Sequence, residues 1–131
     1  MKLRIHEDSL RLRLNRSDVE QFRETGICAE SLRFGSGSQL IYTLEISSRV
    51  TVMEAQYRQD CIRILLPIEI ARKWAGSDQI SLSLNRVDGG GPTLLIEKDF
   101  QCLHADERSP SDDADSFPNP LADDQGSEAV R

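Results

Sequence analysis

A strand–helix–strand pattern occurs twice in this chain of 131 residues, and the two occurrences lie 52 residues apart. That spacing constrains the fold more than any single motif. The second occurrence is the clearer. Ile62, Ile64 and Leu66 alternate with Arg63 and Leu65, the period of a strand with one buried face. Pro67 ends that strand, because it lacks an N–H and its fixed φ suits the first turn of a helix. Ile70, Ala71 and Trp74 then recur at helical spacing. Glu69 lies toward the positive end of the helix dipole, and Arg72 and Lys73 lie toward the negative end. Gly76 is expected to stop the helix in a left-handed C-cap. Ile80, Leu82 and Leu84 resume the strand period.

The first occurrence does the same with other residues. Leu10, Leu12 and Leu14 face inward, and Arg11 and Arg13 face outward. Asn15 or Ser17 can cap the helix that follows, with Glu20 completing a capping box from Ser17. Val19 and Phe22 form its apolar stripe, and Gly26 ends it. Phe22 falls on Trp74, and Leu44-Glu45 falls on Ile96-Glu97. The expectation is an internal duplication, with copies near 10–47 and 62–99.

Further strands are expected at 1–5, 27–34, 40–47, 50–57 and 93–100, from period-two patterns bounded by polar or glycine-rich turns. The fold class is therefore α+β. It is a mostly antiparallel sheet or half-open barrel of about 7–8 strands with two helices, each covering a sheet face or plugging an end. One domain is expected over 1–104, with an irregular tail over 105–131.

Charge divides the chain at the same place. Residues 1–100 hold fourteen Lys/Arg and fourteen Asp/Glu, so the net charge of −6 belongs wholly to residues 101–131. That tail is rich in Asp, Ser, Pro and Ala, and it cannot bury enough surface to offset its chain entropy. Phe117, Pro118 and Pro120 are the exception. They are expected to dock on the domain or on a neighbouring chain, with Phe117 as the apolar anchor.

Three cysteines, Cys28, Cys61 and Cys102, are odd in number and widely spaced. That favours free thiols in a reducing cytoplasm over a disulfide framework. Met1-Lys2-Leu3-Arg4-Ile5 leads into no apolar core of a signal peptide. No run reaches the ~18 apolar residues of a membrane span.

Catalytic chemistry is not legible. Gly89-Gly90-Gly91 lacks the lysine and helix of a phosphate loop and reads as a hairpin loop. Cys102 and His104 are weak metal candidates, with only Cys28, Cys61 and His6 to complete a zinc set. No cofactor is expected. The equivalent Glu45 and Glu97 have the types for a paired carboxylate site, but their positions fit a solvent-facing strand. Arg11, Arg13 and Arg63, with Lys2 and Arg4, form a basic stripe suited to phosphate or carboxylate.

Two resemblances arise at these residues. Across Ile62 to Leu84, Pro67, Glu69, Ile70, Arg72, Trp74, Asp78 and Ile80 make the segment similar to the swapped-hairpin transition-state regulators. Those proteins dimerise to complete a barrel and bind DNA through basic surfaces. The resemblance implies that two copies in one chain replace the dimer. Here Gly76-Ser77-Asp78 stands where those proteins have a longer glycine-containing turn. MKLRI, SLRLRL, EKDFQCLH and FPNP together resemble a family of small bacterial proteins of unknown function. That second resemblance implies that Phe117–Pro120 is more than random tail, and that the body of the domain ends near His104.

The expectation is a non-catalytic cytoplasmic domain that binds a small molecule or a protein partner, as monomer or homodimer and without a membrane. The alternative is a nucleic-acid-binding regulator using the arginine stripe.

Overall fold

The computed structural model describes residues 1–85 and 90–99. These form β1 (Lys2–His6), β2 (Ser9–Leu14), α1 (Arg16–Thr25), β3 (Ile27–Gly35), β4 (Ser38–Ser47), β5 (Glu54–Arg58), β6 (Cys61–Pro67), α2 (Ile68–Ala75), β7 (Ser81–Leu84) and β8 (Thr93–Lys98). The fold is α+β, and it is mostly sheet. The strands make two four-stranded sheets, ordered β1-β2-β8-β7 and β3-β4-β6-β5. Hairpins pair antiparallel, and one parallel ladder joins the two hairpins of each sheet, β2 with β8 and β4 with β6. Among the described residues no closed barrel forms.

Each sheet is therefore built from one hairpin of the first half and one of the second. Helix α1 carries the chain from the first sheet to the second, and α2 carries it back. The ladders match at the sequence spacing of 52. Leu10↔Leu94 and Leu12↔Ile96 in the first sheet correspond to Ile62↔Tyr42 and Ile64↔Leu44 in the second. Lys2↔Arg13 likewise corresponds to Glu54↔Leu65, so the matching unit starts at β1 and β5 and not at residue 10. Closing bonds match as well. Ile41 N–H donates to the Asp60 carbonyl at 3.0 Å, and Thr93 N–H donates to the Asp8 carbonyl at 2.9 Å.

The inner faces bury Leu12, Leu14, Leu94 and Ile96 from one sheet and Leu44, Ile64 and Leu66 from the other, with Phe22, Ala71 and Trp74 from the helices. Phe22 and Trp74 meet edge to face, with ring centroids 6.1 Å apart and planes at 70°. Trp74 Nε1–H donates to the Ile80 carbonyl at 3.0 Å, and Lys98 Nζ lies 5.4 Å from the Trp74 ring centre.

Several local expectations are corrected. The α1 cap is Asn15, and its partner in the capping box is Asp18, not Glu20. Asn15 reaches the N3 N–H because the helix starts at Arg16, two residues earlier than a cap at Ser17 allows. Ile70 is 38% exposed, so Ala71 and Trp74 alone form the buried stripe of α2. Gly26 is left-handed at φ 83°, but Gly76 is not, at φ −101°. Residues 50–53 are a connection, so β5 is shorter than expected and begins at Glu54. No described helix is long and apolar enough to cross a membrane.

Candidate anion-binding site

Residues paired across a ladder point to the same face of a sheet. In the second sheet the outward rows are Arg58 with Cys61 and Ile41, then Gln56 with Arg63 and Thr43, then Glu54 with Leu65 and Glu45. Arg58 and Cys61 flank a two-residue hairpin turn in which Gln59 and Asp60 both take positive φ, 55° and 61°. Asn-Gly is the usual choice for such a turn, because positive φ is costly for a residue with a long side chain. Tyr57 Oη donates to Asp60 Oδ1 at 3.3 Å and supports the turn from the opposite side of the strand.

The first two rows, the turn and the β4–β5 connection enclose a concavity of about 470 Å³, lined by Arg49, Gln56, Arg58, Gln59, Cys61 and Arg63. Arg49 comes from the connection, where its N–H donates to Ser47 Oγ at 3.1 Å. Carboxylates sit at the far row. Glu45 takes a bidentate pair from Arg63, at 2.9 Å from Nε and 2.8 Å from Nη2, and a third bond from Thr43 Oγ1 at 2.7 Å. The Arg63 hydrogen bonds hold Glu45 below the usual carboxylate range against the opposing effect of burial. Glu45 in turn raises Arg63. Glu54 accepts from Gln56 Nε2 at 2.9 Å. Among the described residues, the Arg49 and Arg58 guanidiniums have no carboxylate partner. Two unneutralised guanidiniums in a polar concavity can hold a phosphate or carboxylate through charge-assisted hydrogen bonds.

The residues singled out from sequence fall in several places. Arg11 and Arg13 lie on the first sheet, where Nε of each faces Glu97 Oε1 at 3.5 and 3.2 Å. Arg13 also faces Asp99 at 3.7 Å, as does Lys2 at 3.5 Å. Arg63 lies on the second sheet and lines the concavity. The stripe is thus divided between two sheets, and Glu45 and Glu97 each pair with arginine, not with one another. Cys102, His104, Phe117, Pro118 and Pro120 lie outside the described residues, as does the start of the Gly89–Gly91 run. Arg49 and Arg58 carried no sequence signal as ligands. Arg58 was legible only as a turn residue, and Arg49 joins the site through the path of a connection that has no periodicity.

A second polar cluster lies beside α1. The Met1 ammonium meets Asp18 at 2.8 Å and Glu30 at 3.0 Å, and Tyr42 Oη donates to the Met1 carbonyl at 3.3 Å. Burial opposes ionisation of Asp18, but the ammonium and the Asn15 N–H outweigh it and hold the carboxyl below its usual range. Burial, then the Asp18 charge, pushes the nearby Cys28 thiol up to about 11. That thiol is inert at neutral pH. A smaller concavity of about 220 Å³, which includes Ala55, Pro92 and Leu94, offers one carboxylate, Glu54. Among the described residues, no group of three or more His, Cys, Asp or Glu is placed to hold a metal.

Neither a curated protein nor a solved structure matches the chain. A family match runs over residues 1–121, and the chain belongs to DUF7009, a family of unknown function.

Proposed function

We propose that this domain is a non-catalytic cytoplasmic binding module, and that its ligand is a small molecule carrying phosphate or carboxylate groups. Arg49 and Arg58 supply the primary charge. Arg63, oriented by Glu45, closes one wall, and Gln56 and Gln59 add polar contacts. The observation that carries the reading is the pair of guanidiniums without carboxylate partners in a concavity of about 470 Å³, a size suited to a small ligand. The free thiols Cys28 and Cys61 favour a reducing compartment. The resemblance to small bacterial proteins favours a bacterial source. The matched ladders favour an origin by duplication of a β-β-α-β-β unit that once dimerised.

The test is isothermal titration with pyrophosphate and with citrate, at low salt, of the native protein and the R49A/R58A double variant. The expected result is saturable binding of at least one anion, weakened at least about tenfold by the double substitution, since each charge-assisted bond is worth ~1.5–3 kcal/mol. No binding of either anion, or binding indifferent to the substitutions, refutes the reading.

Nucleic-acid binding is the second reading, and Arg4 is the observation that favours it. Arg4 lies exposed beside Arg11 on the outer face of the first sheet and has no carboxylate partner among the described residues. It ranks lower because Arg11, Arg13 and Arg63 each face a carboxylate already. A short DNA duplex in the same titration separates the two readings by the steep salt dependence that phosphate-backbone binding requires.

A further inference from the structure

The outward face of the first sheet repeats the anion-site rows of the second at the spacing of 52. His6 with Ser9 and Thr93 corresponds to Arg58 with Cys61 and Ile41. Arg4 with Arg11 and Leu95 corresponds to Gln56 with Arg63 and Thr43. The ion pairs correspond too. Arg11 faces Glu97 at 3.5 Å, as Arg63 faces Glu45 at 2.8 Å. The Arg11 pair is longer, at 3.5 Å against the two hydrogen bonds of 2.9 and 2.8 Å that hold Arg63, so Arg11 is the less tightly held of the two. Arg4 lies beside Arg11, exposed and without a carboxylate partner among the described residues.

From this correspondence we infer that the domain carries a second, weaker anion site on the first sheet, in which Arg4 and Arg11 grip an oxyanion and the hydroxyls of Ser9 and Thr93 border it. The inference rests on the reading of the first site and extends it to a stoichiometry of two. Three features make the second site weaker. His6 stands where Arg58 stands, and an imidazole has two ring nitrogens against the five N–H donors of a guanidinium. The position 52 after Arg49 is Gln101, which carries no charge and lies outside the described residues. Ser9 Oγ already donates to the His6 carbonyl at 2.7 Å and Thr93 Oγ1 to Asn85 Oδ1 at 3.4 Å, so each would have to turn from its present partner to donate to the anion. Short anions separate the two sites best, since a long polyanion would be free to contact more than one region.

Equilibrium dialysis of pyrophosphate against the native full chain, R4A and R58A tests the inference. Arg4 and Arg58 are both exposed strand residues, and far-ultraviolet dichroism checks that each variant is folded. The native protein is expected to bind two pyrophosphates, with dissociation constants about tenfold apart, the equivalent of one charge-assisted bond. R4A is expected to keep the tight site and lose the weak one. R58A is expected to lose the tight site and keep the weak one. One site in the native protein, lost in R58A, overturns the second site and leaves the first reading standing. Two sites that both survive R4A place the weaker one elsewhere and also overturn the inference. Absence of binding overturns both readings together.

Discussion

Replacing Trp74 tests how the two halves are held together. Its ring is fully buried and meets the ring of Phe22, its counterpart in α1. Trp74→Phe keeps a six-membered ring in the pocket but removes the five-membered ring and the indole N–H. The Ile80 carbonyl retains a donor, because the Lys98 N–H also reaches it at 3.0 Å. The lost hydrogen bond therefore costs about 0.5–1 kcal/mol and leaves no orphaned acceptor. The vacated apolar volume costs a further ~1–2 kcal/mol in transfer and cavity terms. A destabilisation of roughly 2–3 kcal/mol is expected, which lowers the melting temperature of a domain this size by about 10–20 °C. The assay is urea unfolding of the native protein and Trp74→Phe, and of a cycle of Trp74→Leu, Phe22→Leu and their double variant, which removes the ring at each position, followed by far-ultraviolet dichroism. The edge contact predicts a coupling energy of about 0.5–1.5 kcal/mol between the two positions. A coupling indistinguishable from zero, or a Trp74→Phe variant as stable as the native protein, refutes the view that this pair locks the two helices.

Three further outcomes follow from the geometry. Glu45→Gln is expected to cost about 1 kcal/mol at pH 7, the pair being bidentate but half-exposed. Because Glu45 is depressed in the folded state, its contribution is present above the ordinary carboxylate value and is lost as pH falls through the depressed one. Acid unfolding of the variant should therefore show a shallower pH dependence in that window. Gly26→Ala is expected to cost about 1 kcal/mol by thermal unfolding. A Cβ there meets open space, so the cost is the left-handed backbone at φ 83° and not a clash. Cys28, raised to about 11, is expected to resist alkylation at pH 8 in the native state and to react only on unfolding, as peptide mapping after iodoacetamide treatment would show.

Much of the architecture was legible because burial imposes periodicity. Leu10, Leu12 and Leu14 alternate with arginines, and their counterparts 52 residues later keep the period around Arg63 and Leu65, so strand, helix and strand could be read twice. The exchange of hairpins between sheets was not legible in the pattern, since period two does not say which strand pairs with which. β1 and β5 were missed as parts of the matching unit because Lys2–His6 and Glu54–Arg58 share no identical residue at matched positions, only ladder register. The exposure of Ile70 was hidden because helical spacing alone does not fix how wide a stripe the neighbours cover. The site was legible in part. Arg63 was visible as an outward strand residue, but the Glu45 clamp on it depends on parallel pairing of β4 with β6. Arg49 and Arg58 emerge only when the turn and the connection are folded over that face.

The most direct measurement is a pyrophosphate titration of the labelled full chain, followed through the arginine side-chain Nε–Hε resonances. Binding at the concavity predicts that the Arg49 and Arg58 signals move first and saturate together, while those of Arg16, Arg23 and Arg72, near or within the two helices, stay in place. Arginine signals that do not move, or that all drift in parallel without saturating, would contradict a specific anion site.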